Sequence, residues 1–201
     1  MQKPLYTIGY SSFGINDFIA YLRRQVINVL IDVRSNPYSS HFSEYNKERL
    51  AKVLGANGIH YRNYAKEFGA QQTNREFYTP QGYLDFKMFT DSELFGEGYR
   101  RIEDSVKREY SVVFMCAEKD PIDCHRSIMI TKAFTDNGYE VLHLLPDNKH
   151  ASQSDIEERL LNKYYPDRDQ LSLFSDKGSS ELISEAYRKR NADIGHYIAE
   201  G

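Results

Sequence analysis

The 201-residue chain has no tryptophan, only two cysteines and little net charge, a formal −3 at pH 7. It also has no apolar run near the roughly 20 residues that a membrane-spanning helix requires, so no membrane association is expected. The two cysteines stand near a histidine and an arginine in one short stretch, which is not the layout of a disulfide framework. Met1-Gln-Lys-Pro-Leu5 lacks the apolar core of a signal peptide, and the cytoplasm is the expected location. The small net charge argues against binding nucleic acid by global electrostatics alone, while leaving room for a local basic groove.

What is present describes a soluble globular chain, 40% hydrophobic and 27% charged. The length suits one α/β domain, or one domain with an appendage, and such a chain buries a core without staples. Sixteen tyrosines supply aromatic surface with hydroxyl tips. Much of the positive charge lies in the first half, at Arg23, Arg24, Arg49 and Lys52 among others. Acidic residues recur beside these, so a mixed solvated surface is the simpler reading.

Taken in order, Leu5 to Gly9 reads as a short strand ending at a glycine. Ile15 to Leu22 reads as a helix with Phe18, Ile19 and Leu22 on one face and Asn16 or Ser12 as its cap. Val26 to Val33 is nearly all apolar and β-branched, the pattern of a strand buried on both faces of a parallel sheet. Ser35 to Ser40 is loop, Asn46 to Leu54 a helix stopped by Gly55 or Gly58, and Ile59 to Tyr64 a third strand. Residues 65–82 read as a long loop with a helical turn, Gly82 to Phe95 as short helices and Gly98 to Glu109 as a charged helix. Ser111 to Cys116 and Glu140 to Leu145 are further strands, separated by a helix over Ser127 to Asn137 that Gly138 caps.

This alternation predicts an α/β fold over residues 1–151, an open, mostly parallel sheet of about five strands with helices on both faces. Residues 152–174 add a helix, with a capping-box-like start at Ser154-Asp-Ile-Glu157, and an extended segment. Residues 175–201 are a linker followed by an amphipathic helix, Glu181 to Ile198, that packs on the domain or on a partner.

Ligands on open parallel sheets bind at the carboxyl ends of strands. Gly9-Tyr-Ser11, Asp32-Val-Arg34 and the loop from Cys116 all fall on that edge, so three chemically rich loops are expected to converge. Cys116, Glu118, Cys124 and His125 are the candidate catalytic residues. Tyr10, Ser11, Asp32, Arg34, Ser39, Arg126 and Ser127 are the candidate substrate-binding residues. Cys124-His-Arg-Ser127 opens a helix, where free amides and the helix dipole favour anions and lower a thiol's pKa. Arg126 adds a guanidinium able to hold a phosphate or carboxylate by two prongs. Glu118 suits general acid/base work. Asp32 and Arg34, at the end of a strand, are not expected to face the same way, and Asp32 suits binding a loop's amides. No cofactor is predicted. Metal on Cys116, Cys124 and His125 is the lesser reading, because Cys-x7-Cys is not zinc-knuckle spacing and a second cysteine pair is missing.

The chain resembles the domain-of-unknown-function family numbered 488, found in bacteria and archaea. The pieces that carry the resemblance are Ile8-Gly-Tyr-Ser11, Ile31-Asp-Val-Arg34 with Pro37 and Ser39, Phe42, and Gly58-Ile-His-Tyr61. Met115-Cys-Ala-Glu118 follows, running through Asp120-Pro121 to Cys124-His-Arg126. They occur in the family's order over about residues 4–174. Tyr10 departs from the family's usual histidine and Gly69-Ala70 from its Gly-Gly pair. The resemblance implies an α/β fold and a polar, anion-friendly site. A fainter similarity is to rhodanese-like sulfurtransferases, where an Asp-Val-Arg strand end also precedes a cysteine-bearing strand. Here Ala117-Glu-Lys-Asp-Pro-Ile-Asp123 replaces the glycine-rich amide cradle such catalysis uses.

These features support an enzyme or ligand-binding domain with an anion site for a small anionic substrate, a nucleotide or a nucleic acid. A non-catalytic module sensing a nucleotide or nucleic acid and a rhodanese-like sulfurtransferase are the alternatives. Gln170, Leu171, Leu173 and Phe174 form a peptide like those with which bacterial DNA repair proteins dock on the DNA sliding clamp. Packing of the same side chains back onto the domain is the competing reading.

Overall fold

The structure, a computed structural model, describes residues 3–168 and 178–198. The clamp-like peptide Gln170, Leu171, Leu173 and Phe174 lies outside the described residues. Five strands are parallel and a sixth is antiparallel: β1 (Leu5–Gly9), β2 (Val29–Asp32), β3 (His60–Asn63), β4 (Val112–Cys116), β5 (Val141–Leu144) and β6 (His150–Ser152). Their order across the sheet is β3-β2-β4-β1-β5-β6. After β1 the chain crosses to the β2 side, and after β4 it crosses to the β5 side. The carboxyl ends of the neighbouring strands β1 and β4 therefore flank the point where connections diverge, the usual crevice of such sheets.

Every residue of β4 is buried, and its side chains alternate between two cores, as a pleat of period two demands. Val113 and Met115 join Ile8, Leu30 and Leu144 beneath α1 (Ile15–Arg24) and α2 (Lys47–Ala56). Val112, Phe114 and Cys116 join Leu5, Ile31 and Val141 on the other face. That second face is covered, after the short α3 (Ala65–Phe68) and α4 (Phe86–Thr90), by α5 (Glu93–Lys107), α6 (Lys132–Asp136), α7 (Gln153–Tyr164) and α8 (Ser179–Ile194). Ile102, Phe134, Ile156, Leu160, Ala186 and Tyr187 are its contributions to the core. The pleat thus decides that Cys116 faces the C-terminal helices rather than α1.

Several boundaries differ from the sequence expectation. Val26 is 72% exposed with φ 54°, so the apolar run enters the sheet only at Val29. Helix α1 begins after Gly14, with no side-chain cap from Ser12 or Asn16. The capping box of α7 is Ser152 with Asp155, two residues earlier than the Ser154 pattern suggests. Helix α8 stops at Ile194, where Gly195 takes extended dihedrals. No helix among the described residues is long and apolar enough to cross a membrane.

A buried polar network ties both sheet and helices to the segment after Cys124. His143 is fully buried on β5; its Nδ1 accepts from Thr7 Oγ1 at 2.8 Å and its Nε2–H donates to Gln153 Oε1 at 3.0 Å. Gln153 also accepts from Thr131 and donates to the Ser127 carbonyl and to the Tyr187 hydroxyl. Burial, with Arg126 nearby, pushes the His143 pKa down to about 4. A histidine lowered from its ordinary value binds its proton more readily when unfolded. Its contribution is therefore complete above about pH 6.5 and lost as the pH falls toward 4, by up to about 3 kcal/mol. Urea unfolding followed from pH 7 to 4 should fall more steeply for the natural chain than for His143→Gln. Parallel curves would show that His143 is not held neutral.

Candidate functional site

The three loops do converge. The wall of a cavity of about 690 Å³ takes Tyr10 from the end of β1, Arg34 and Ser39 from the segment after β2, and Cys116, Glu118, Cys124 and His125 from the loop after β4. Ser11, Asp32, Arg126 and Ser127 are not on that wall.

Asp32 and Arg34 face each other, against the sequence expectation. Residues two apart share a face of a pleat, and β2 stops at Asp32, which frees Arg34 to turn back. Asp32 Oδ1 accepts from the Arg34 amide and from Nε at 2.8 Å, and Oδ2 accepts from Nη2 at 2.6 Å. Tyr61 donates its hydroxyl to the same carboxylate, and Nη2 also donates to the Tyr45 carbonyl. The guanidinium lies over the Tyr10 ring, 5.0 Å from its centre, and Tyr10 in turn stacks on Tyr45. Burial alone would lower the Arg34 pKa, but the bonds to Asp32 outweigh it and the net shift is upward. Arg34 is 5% exposed and its Nη1 has no hydrogen-bond partner.

On the facing wall, Cys116, Cys124 and His125 bring their sulfur and nitrogen atoms within 4.8 Å of one another, all buried. His125 Nδ1 stands 4.0 Å from Cys116 Sγ and 3.8 Å from Cys124 Sγ. Its other nitrogen, Nε2, donates to the Val33 carbonyl at 3.1 Å, which fixes the ring. Cys124 Sγ lies within hydrogen-bond distance of Glu118 Oε2, at 3.0 Å. Burial raises the Cys124 thiol, but the Cys116 thiol, the Arg126 charge and His125 outweigh it and hold it well below the ordinary value. The hydrogen bond to Cys124, then burial, push the Cys116 thiol up. Burial and the Cys124 charge raise Glu118. Burial lowers His125, yet the Cys124 charge and hydrogen bond leave it raised.

Arg126 sits behind this wall rather than on it, so it does not present two prongs to the cavity. It is 1% exposed, and its guanidinium donates to the carbonyl oxygens of Glu118, at 2.8 Å, and Lys119. Among the described residues it has no carboxylate at ion-pair distance. The cause is the strand end at Gly9, where a Cβ would lie 1.8 Å from the Glu118 carbonyl oxygen and 3.1 Å from Arg126 Nη2. The loop and the guanidinium close over the glycine together. Ser127 is fully buried, and its amide, like that of Ile128, is turned to the Cys124 carbonyl at the start of a wide π-helical turn, Arg126–Thr131. In the Ala117 to Asp123 loop, the amides of Ile122 and Asp123 are engaged by Asp120, and that of Cys124 by Pro121.

Sequence reasoning missed part of the wall. Asn36, Tyr38, Ala70, Gln71, Ala117 and Asp123 line it, beside the expected Ser35, and so does the segment Ile194, Gly195, His196 and Tyr197. That segment crosses the mouth because Leu84 N–H donates to the His196 carbonyl and Ile198 N–H to the Gly82 carbonyl. Helix α8 is anchored to the cysteine loop by Arg190, which donates to the Ile122 carbonyl at 2.9 Å and pairs with Asp123. The one signal available in the sequence is Gly195, a helix breaker followed by His-Tyr.

Replacing Arg126 by Met leaves two carbonyls inside the fold without their donor, and a loss of about 3 kcal/mol is expected in urea unfolding. Gly9→Ala, whose Cβ meets backbone, is expected to cost about as much. A change below about 1 kcal/mol in either variant would show that the loop relaxes freely.

No curated protein matches the chain. The family model described as "Domain of unknown function DUF488" matches residues 14–132, more than half of the chain, and the match takes in both the Asp32-Val-Arg34 strand end and the Cys116 to Ser127 segment. The chain therefore belongs to the DUF488 family.

Proposed function

We propose that the cavity is the active site of an enzyme acting on a small anionic substrate that bears a phosphate or carboxylate, with nucleotides as the favoured class. The observation that carries this reading is Arg34 Nη1, a charged donor without a partner on a residue of the wall. A buried donor left unpaired costs about 1–3 kcal/mol, and an acceptor brought by a substrate would recover it. The volume of about 690 Å³ falls within the range of small-molecule sites and holds a nucleotide-sized molecule.

The roles follow from the two walls. Arg34, already aligned by Asp32 and Tyr10, anchors the anion, and the hydroxyls of Tyr10, Ser35 and Ser39 supply further donors. Opposite it stand the sulfur of Cys124, the imidazole of His125 and the carboxyl of Glu118, which line the reacting end of the substrate, with Glu118 as the group that moves a proton. Engagement of the Ile122, Asp123 and Cys124 amides within the loop speaks against a rhodanese-type amide cradle, so sulfur transfer is the weaker reading.

Inorganic phosphate and nucleoside monophosphates titrated by calorimetry are expected to bind. Arg34→Lys, which keeps a cation for Asp32 but has no second nitrogen to offer, should weaken binding by about tenfold or more. Tyr10→Phe, which keeps the ring stacked, should weaken it less. Against a panel of phosphate and carboxylate esters, Cys124→Ser and His125→Gln should abolish turnover. Absence of anion binding, or binding unchanged in an Arg34→Lys protein with native circular dichroism, would overturn the assignment.

A further inference from the structure

We propose that Cys116, Cys124 and His125 bind one divalent metal ion of the zinc class, with the fourth coordination position on the cavity side, where Glu118 stands. The inference rests on the reading of this cavity as a functional site only for the ion's role, and its ligand geometry stands independently.

Three observations point to a cation rather than to a packed thiol pair. The first is distance. A tetrahedral zinc bound to thiolate at about 2.3 Å and imidazole at about 2.0–2.1 Å sets sulfur and nitrogen about 3.6 Å apart. The observed separations from His125 Nδ1 are 4.0 Å to Cys116 Sγ and 3.8 Å to Cys124 Sγ. All three donor atoms fall within 4.8 Å of one another, and two sulfurs on one tetrahedral zinc stand about 3.8 Å apart, so movements of no more than about 1 Å close the shell.

The second is the orientation of the imidazole. His125 Nε2 donates to the Val33 carbonyl, so Nδ1 is the nitrogen that faces both sulfurs. A ligating histidine is typically held in this way, its second nitrogen donating to a carbonyl that fixes ring and tautomer. Nδ1 offers the ion its lone pair, and binding displaces the thiol protons to solvent.

The third is charge. Two thiolates and a divalent ion sum to zero, and a Glu118 carboxylate with the Arg126 guanidinium behind it sum to zero again. The residues around the site thus balance a bound dication without further counterions. Burying charge is tolerated only when it is compensated in this way. Two sulfurs and one imidazole select zinc-like ions over magnesium or calcium, which take oxygen ligands. Three protein ligands with one open position are the arrangement of a catalytic zinc rather than a structural one. The cavity supplies the entry path.

Protein purified without chelator and with thiols kept reduced is expected to carry about one zinc per chain by mass spectrometry of the metal. Cobalt(II) loaded into chelator-treated protein should give the absorption of a thiolate-bound tetrahedral ion. Both thiols should resist alkylation until the metal is removed. Cys116→Ala, Cys124→Ala and His125→Gln should each lose most of the bound metal while keeping native circular dichroism. The inference is overturned if the reduced protein neither carries nor takes up zinc, or if a Cys116→Ala/Cys124→Ala protein binds as much as the natural chain. Phosphate titration of the same chelator-treated sample separates the two readings. Metal uptake without any anion binding would remove the proposed substrate class alone, and anion binding without metal uptake would remove the metal centre alone.

Discussion

The burial of Arg126 is the constraint from which the rest of the site follows. A guanidinium that cannot be deprotonated has been placed 1% exposed in the wall between sheet and helices, with no carboxylate beside it among the described residues. Its hydrogen bonds go to the carbonyl oxygens of Glu118 and Lys119, and so the loop after β4 is folded back over Gly9 instead of extending into solvent. The charge itself still needs an answer. The groups whose ionised form it favours are Cys124 and Asp120, while burial first and then the same charge keep nearby His143 neutral. Arg126 is thus a positioning residue whose influence on the cavity is electrostatic and not by contact.

The opposite wall solves a similar problem differently. Arg34 has its counter-charge built in, since Asp32 takes three of its hydrogen bonds, two from the guanidinium and one from the backbone amide. Tyr61 and Tyr45 complete the ring of partners, and Tyr10 supplies a stacked face. An arginine held at so many points loses little entropy when it binds something more. One wall is therefore a rigid, locally neutral anchor with a spare donor, and the other a polarised cluster of sulfur, imidazole and carboxyl. Under the function proposed above, a substrate lying between them would meet two different environments, an asymmetry that favours chemistry over storage of an anion.

Much of this was legible in the residues. The parallel sheet follows from buried apolar runs such as Val112 to Met115, and the edge on which the loops meet follows from strand–helix alternation alone. Where the reading failed, a local rule lost to tertiary context. Val26 is β-branched and apolar yet lies outside the sheet, because β2 must align with Val112 of β4 and that register begins at Val29. Arg126 looked like an anion clamp because a helix start and a guanidinium coincide, but sequence cannot show that the nearest acceptors are backbone carbonyls. Cys116, Cys124 and His125 have a spacing that fits no linear metal motif. The fold makes the spacing irrelevant, since one residue comes from a strand end and two from the start of a helical turn. Asp32 and Arg34 were expected to face apart, yet residues two apart share a face of the pleat, and the pairing they make is the one that geometry permits.

The C-terminal part shows how distant sequence completes the site. Ser35 to Ser39 and the cysteine loop form two walls, and Ile194 to Tyr197 lies across them although some seventy residues separate it from Cys124. Its position is set twice over, by Arg190 gripping the Ile122 carbonyl and Asp123, and by backbone bonds to Gly82 and Leu84. The matched family region ends at residue 132, before this segment begins. Arg34 and the cluster of Cys116, Glu118, Cys124 and His125 therefore lie within the matched region, whereas Ile194 to Tyr197 at the mouth lies beyond it. Under the function proposed above, selection among substrates that share an anionic group would be a property to seek in His196 and Tyr197, whose exposed side chains meet the cavity.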